Sequence, residues 1–163
     1  MKKLLFILTI SLFLPSALFA QINPEGVKTF AKSYDYVNDF EKILTSAQLK
    51  GLNDFLKAGE AKTKSKVLII ITPTIAPYTD LTDYSADLDK YLVSQLKIDT
   101  SILIILSKQL RQIQVQGVDK LRFKMSDQQM KDIVSTYMLP ELKKGDYYKA
   151  LEVGTTELMK KLE

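Results

Sequence analysis

The chain has 163 residues, 46% of them hydrophobic and 26% charged, and its 23 Lys and Arg against 19 Asp and Glu leave a net charge of +4. Cysteine and histidine are both absent, which removes disulfides, Cys nucleophiles, Ser–His triads, imidazole acid–base chemistry and the usual zinc sites together. Only Arg111 and Arg122 carry guanidinium groups; the remaining cations are scattered lysines with no basic stripe and interleaved aromatics, so nucleic acid is not an expected partner.

Residues 1–20 read as a secretory signal peptide. Lys2 and Lys3 form the charged start, Leu4 to Leu14 is apolar, Pro15 and Ser16 break the run, and Ala20 offers a small residue for cleavage before Gln21. The apolar run is about half the ~20 residues a membrane-spanning helix needs, so no transmembrane anchor is expected after signal cleavage. The expected location is extracytoplasmic, periplasmic or secreted. Residues 21–35, with Asn23, Pro24 and Gly26, show little periodicity and are expected to be a flexible mature N-terminus.

The folded domain is expected over residues 36–163. Thr45 and Gln48 form a capping box, and Leu49, Leu52, Phe55 and Leu56 fall on one face of a helix from Ser46 to Lys62. Lys66 to Pro73 holds the unbroken run Val67 to Ile71, as in a strand covered on both faces. Thr79 or Asp80 caps a second helix carrying Tyr84, Leu88, Tyr91 and Leu92 to about Leu96. Ser101 to Ser107 is a second buried strand, and in Gln112 to Gln116 Ile113 and Val115 alternate with amides, marking a strand with one polar face near the sheet edge. The intervening helix favours parallel pairing of the first two strands, and the short link after Ser107 favours a hairpin. Ser126 and Gln129 open a third helix with Met130, Ile133, Val134 and Tyr137, expected to end near Pro140. Gly145 and Asp146 start the last, with Leu151, Leu158 and Leu162 on one face. The sum is one α/β domain: a mixed sheet with a central parallel βαβ unit and a following hairpin, then two C-terminal helices.

These residues resemble the TPM domain family. The resemblance rests on Val37, Asp39, Ile43, Leu44 and Thr45 before the first helix, on the buried strand with its Thr-Pro exit, on Asp83, Tyr84 and Leu88, on the apolar strand after Asp99, and on PELKKGDY at Pro140 to Tyr147. It spans Val37 to Leu162. Relatives often carry Trp-Gly-x-Gly after the second helix, Asn-Gly before the next strand and Gly-Tyr-Gly after the third; Val93 to Lys97, Thr100-Ser101 and Gly117-Val118-Asp119 stand there instead. The resemblance implies a three-layer α/β/α sandwich and an extracytoplasmic life. Its members look like accessory proteins of membranes, including thylakoid-lumen proteins linked to photosystem II repair, and some plant relatives are described as acid phosphatases or as binding calcium.

The expected topology gathers Lys66, Asp99, Thr100, Gly117 and Asp119 at one edge of the sheet, followed by Ser126 and Asp127. The opposite edge collects Pro73 to Asp83, the hairpin from Lys108 to Arg111 and the Pro140 to Tyr147 turn. With histidine and cysteine excluded, oxygen ligands remain, and these suit calcium or magnesium. Asp99, Asp119 and Asp127, with Asp39, are the candidate metal ligands. Each also has a plain role: Asp127 answers a helix dipole, Asp80 and Asp146 cap helices, and Asp99, Asp119 and Asp39 shape loops. The expected function is an exported, noncatalytic accessory or binding protein for an unknown protein or a membrane-associated complex, with room for a structural calcium or magnesium ion at these carboxylates. The alternative is a metal-dependent phosphatase acting on phosphate monoesters, a cation polarising the phosphoryl oxygen and a carboxylate positioning water.

Overall fold

The structure is a computed structural model and describes residues 30–117, 121 and 124–163. The expected signal peptide and residues 21–29 lie outside the described residues. In chain order the elements are β1 (Val37–Asp39), α1 (Ser46–Thr63), β2 (Val67–Ile71), α2 (Leu81–Tyr91), β3 (Ile102–Ser107), β4 (Gln112–Gly117), α3 (Asp127–Ile133), α4 (Leu139–Lys144) and α5 (Tyr147–Leu162). The sheet order is β1-β2-β3-β4. The first three strands run parallel and β4 returns antiparallel to β3.

Every residue of β2 is fully buried, which is why its run is unbroken and β-branched: a strand with helices on both sides has no face to make polar. Val37, Ile69, Ile71, Ile104 and Leu106 face a core shared with α1, α3 and α5. Leu68, Ile70, Leu103 and Ile105 face the other way, under α2. The result is the three-layer α/β/α sandwich. Each of these buried aliphatic side chains contributes roughly 1.5–3 kcal/mol of transfer free energy.

The polar face of β4 is half-buried rather than open to water. Register pairs Leu103 with Gln116 and Ile105 with Gln114, so the amides lie on the α2 side. There the fully buried Ser85 donates to Gln116 Oε1 at 2.8 Å and accepts from Gln114 Nε2 at 3.0 Å. A hydrogen-bonded seam thus closes the layer where the apolar run of the sheet stops.

Three features differ from the sequence reading. Asp39, expected in an irregular segment, ends a short third parallel strand. Phe30, inside the stretch read as leader, is buried against Tyr78, Tyr84 and Tyr91, with ring centroids 6.2, 5.6 and 5.2 Å away. The helical path also passes Pro140 rather than stopping there. A proline ring clashes with the carbonyl four residues back in a regular helix. Here a widened turn over Val134–Met138, closed by the Leu139 N–H on the Val134 carbonyl, precedes it. The path ends instead at Gly145, whose φ of 81° needs a residue without Cβ. Close approach shapes the α5 contacts as well: a Cβ at Gly154 would stand 2.5 Å from Met138 Cγ, and one at Gly59 of α1 2.7 Å from Met159 Sδ.

Two substitutions probe the α2 layer. Ser85→Ala strands two amides and should cost about 1–3 kcal/mol in denaturant unfolding. Phe30→Ala should cost about 3 kcal/mol by the same measurement, because it empties the aromatic pocket; an unchanged midpoint would show that Phe30 packs without stabilising.

Candidate functional site

The edge formed by the starts of β2 and β3 carries a polar groove of about 390 Å³, lined by Glu60, Lys64, Lys66, Asp99, Ser101 and Lys124 among others. The Tyr36 hydroxyl donates to Glu60 Oε2 at 2.6 Å, and Lys66 Nζ lies 3.3 Å from the same oxygen and 4.3 Å from the Tyr36 ring centroid. The Glu60 hydrogen bond, with desolvation second, pushes the Tyr36 phenol up to about 12. Thr100 donates to Asp89 Oδ1 at 3.2 Å. These groups are spent on one another.

Of the expected metal ligands, Asp39, Asp99 and Asp127 are among the described residues, and Asp39 stands apart from Asp99. Asp99 lies in this groove, and Asp127 occupies the first turn of α3 behind the Ser126 capping box. Asp119 lies outside the described residues. Asp39 stands at the opposite edge, beside Ile71 at the end of β2. It is a strand length, on the order of 15 Å, from the Asp99 edge, whereas calcium oxygens sit within about 2.6 Å of the ion. Asp39 Oδ2 accepts from the Leu44 N–H at 2.8 Å, and Oδ1 is buried without a partner. That single oxygen does not make a cation site. Among the described residues no three acidic side chains are grouped to hold a metal.

The edge at the ends of the parallel strands is built differently. Open α/β sheets place ligands outside the carboxyl ends of their strands. Here both oxygens of Glu41 accept hairpin N–H groups, from Lys108 at 2.9 Å and Gln109 at 2.8 Å. Ser107 Oγ accepts from the Leu110 N–H at 3.1 Å, and the Arg111 N–H closes the turn on the Lys108 carbonyl at 3.2 Å. The fixed hairpin faces the α4–α5 turn, with Lys108 Nζ 5.6 Å from the Tyr147 ring centroid. Between them lies a groove of about 620 Å³. Leu106, Ile113, Leu139, Leu142 and Tyr147 line it with Arg111, Lys143 and Lys144, and no carboxylate is among its lining residues.

The sequence reading brought the hairpin and the Pro140 to Tyr147 turn to one edge, and there they meet. It missed Glu41, for no spacing links one acid to two backbone amides on a loop that folding brings to it. A third concavity, about 660 Å³ between α1 and α5, carries half-exposed Phe55 and Tyr137 but mixed charge from Lys149, Glu152 and Glu157.

The raised phenols set an alkaline limit. Tyr36 and the buried Tyr84 are both pushed up to about 12, Tyr36 mainly by Glu60 and Tyr84 mainly by burial. A phenol raised in the folded state stabilises fully below its unfolded pKa of about 10 and loses that contribution as pH climbs through the folded value. Unfolding free energy should therefore fall between about pH 10 and 12, and Tyr36→Phe should make that fall shallower in pH-dependent melts.

Comparison with solved structures gives similar folds. The N-terminal domain of a protein from P. gingivalis matches with a TM-score of 0.69 at 22% identity, over 81% of this chain and 84% of that one. The BA42 protein from the psychrophilic bacterium Bizionia argentinensis gives 0.64 at 18%, over 76% and 84%. The N-terminal domain of the cg2496 protein from Corynebacterium glutamicum gives 0.60 at 11%, over 82% and 90%. No curated protein matches. The family model for the TPM domain matches residues 37–161, so the chain belongs to the TPM domain family.

Proposed function

We propose that this TPM-domain protein is an exported, noncatalytic accessory module that docks a protein partner or a membrane-associated complex through the groove at the carboxyl edge of its sheet. The groove carries the reading: it is a concavity with an apolar floor, a cationic rim and no carboxylate among its lining residues. Such a lining attracts and holds an anionic apolar surface, while the metal-assisted alternative needs carboxylates to carry the cation and position water. Export is supported by the charged, apolar and small-residue sections of residues 1–20. None of the helices among the described residues is long and apolar enough to cross a membrane.

The test has two readouts. Expressed in bacteria with residues 1–20 intact, the protein should be recovered outside the cytoplasm with Gln21 as its first residue. The purified protein should leave p-nitrophenyl phosphate untouched, whether stripped of metal or supplied with calcium or magnesium. Hydrolysis that needs the cation would replace this reading with the phosphatase, and an uncleaved cytoplasmic chain would remove the export.

A further inference from the structure

We infer that the carboxyl-edge groove is a docking site for an acidic peptide segment bearing an apolar anchor, supplied by a partner protein. The inference rests on the binding-module reading and names the chemistry of what is bound.

Charge complementarity carries it. Arg111 and Lys143 on the rim make no ion pair among the described residues, and Lys108 leans over Tyr147 from the hairpin. The acids of the neighbouring segments have partners: Glu141 is held by Lys144 at 2.8 Å, both Glu41 oxygens accept backbone N–H groups, and Asp146 Oδ1 accepts from the Lys149 N–H. The rim therefore offers unshared cations above a floor of Leu106, Ile113, Leu142 and Tyr147. A peptide with carboxylates flanking one or two apolar side chains satisfies both parts. Its anchor buries apolar area, and a planar guanidinium takes a carboxylate through two parallel hydrogen bonds.

The groove is poorly made for a bare phosphate. Phosphate sites draw on free backbone N–H groups at a helix start. Here α4 ends at the groove with Gly145 as its cap, and the start of α5 is already capped, Asp146 Oδ1 accepting from the Lys149 N–H at 2.9 Å. The hairpin amides of Lys108 and Gln109 are taken by Glu41. What the groove offers most of is side-chain cation and apolar surface. The Glu41 tie also holds the hairpin backbone, so Arg111 and Lys108 are presented from a fixed turn and less of their freedom is lost on binding.

The experiment titrates the full mature chain with the peptide acetyl-DELFED-amide, following backbone amide shifts by NMR. Saturable shifts confined to residues 106–113 and 139–147 are expected, weakening as salt rises. Acetyl-DEGGED-amide, without the anchor, and acetyl-KKLFKK-amide, without the charge, should each bind at least tenfold more weakly. R111Q/K143Q should lose about tenfold in affinity with an unchanged melting temperature. Equal binding of the lysine peptide, an unaffected double variant, or shifts centred on Phe55 and Tyr137 would overturn the inference. So would binding of phosphatidylglycerol vesicles through these residues while the acidic peptide gives no saturation. A failed peptide titration in a protein inert toward p-nitrophenyl phosphate sinks the ligand assignment alone; cation-dependent hydrolysis sinks the module reading beneath it.

Discussion

The pairing of β2 with β3 imposes the rest of the architecture. Five consecutive residues of β2 and their partners in β3 are apolar and buried on both faces, and such a ribbon is tolerable only if something covers each side. Parallel pairing obliges the chain to cross over between the strands, and α2 is that crossover and the cover of one face. The other face is left to α1 before the pair and α3 and α5 after it. Helices from before and after the pair are thereby committed to one layer, and the six-residue edge strand β4 takes the remaining side of β3. Its amides lie under α2, and their hydrogen bonds to Ser85 tie that helix to the edge strand.

This dependence explains what was legible in the sequence. The unbroken runs Val67–Ile71 and Ile102–Ser107, the two capping boxes and the alternation in β4 are local signals with one physical reading each, and the layers follow from them. β1 was not legible because Val37, Asn38 and Asp39 have no strand pattern of their own; they extend because β2 offers an unpaired edge. Missing that strand is what left Asp39 unplaced, and placing it puts it a strand length from Asp99. Phe30 was missed for a related reason: its partners Tyr78, Tyr84 and Tyr91 are distant in sequence, and no periodicity reports an aromatic that fills a pocket from outside the element it completes. Pro140 misled in the other direction, since the rule that stops a helix at proline does not foresee a widened turn just ahead of it.

The candidate site divides the same way. Topology alone brings the β3–β4 hairpin and the α4–α5 turn to the carboxyl edge, so the place was readable. Its character was not, because that depends on which charges are already neutralised. Lys66, Glu60 and Tyr36 consume one another at the far edge, and Glu41 spends both oxygens on backbone, while Arg111 and Lys143 do not spend theirs. Counting cations along the chain cannot distinguish these cases; only the folded arrangement of partners does.

The contacts of α5 carry a chemical vulnerability. Its Met159 thioether fills the space against Gly59 of α1, and its Gly154 receives the Met138 side chain from the widened turn. Both methionines are buried, and both seams are so close that a methyl group added on the glycine side would have to push the methionine side chain aside. A sulfoxide oxygen would need room of that order and would be polar besides. In a chain without cysteine to intercept oxidants, chemical damage that reached these two sulfur atoms would pry α5 from the helices on either side of it.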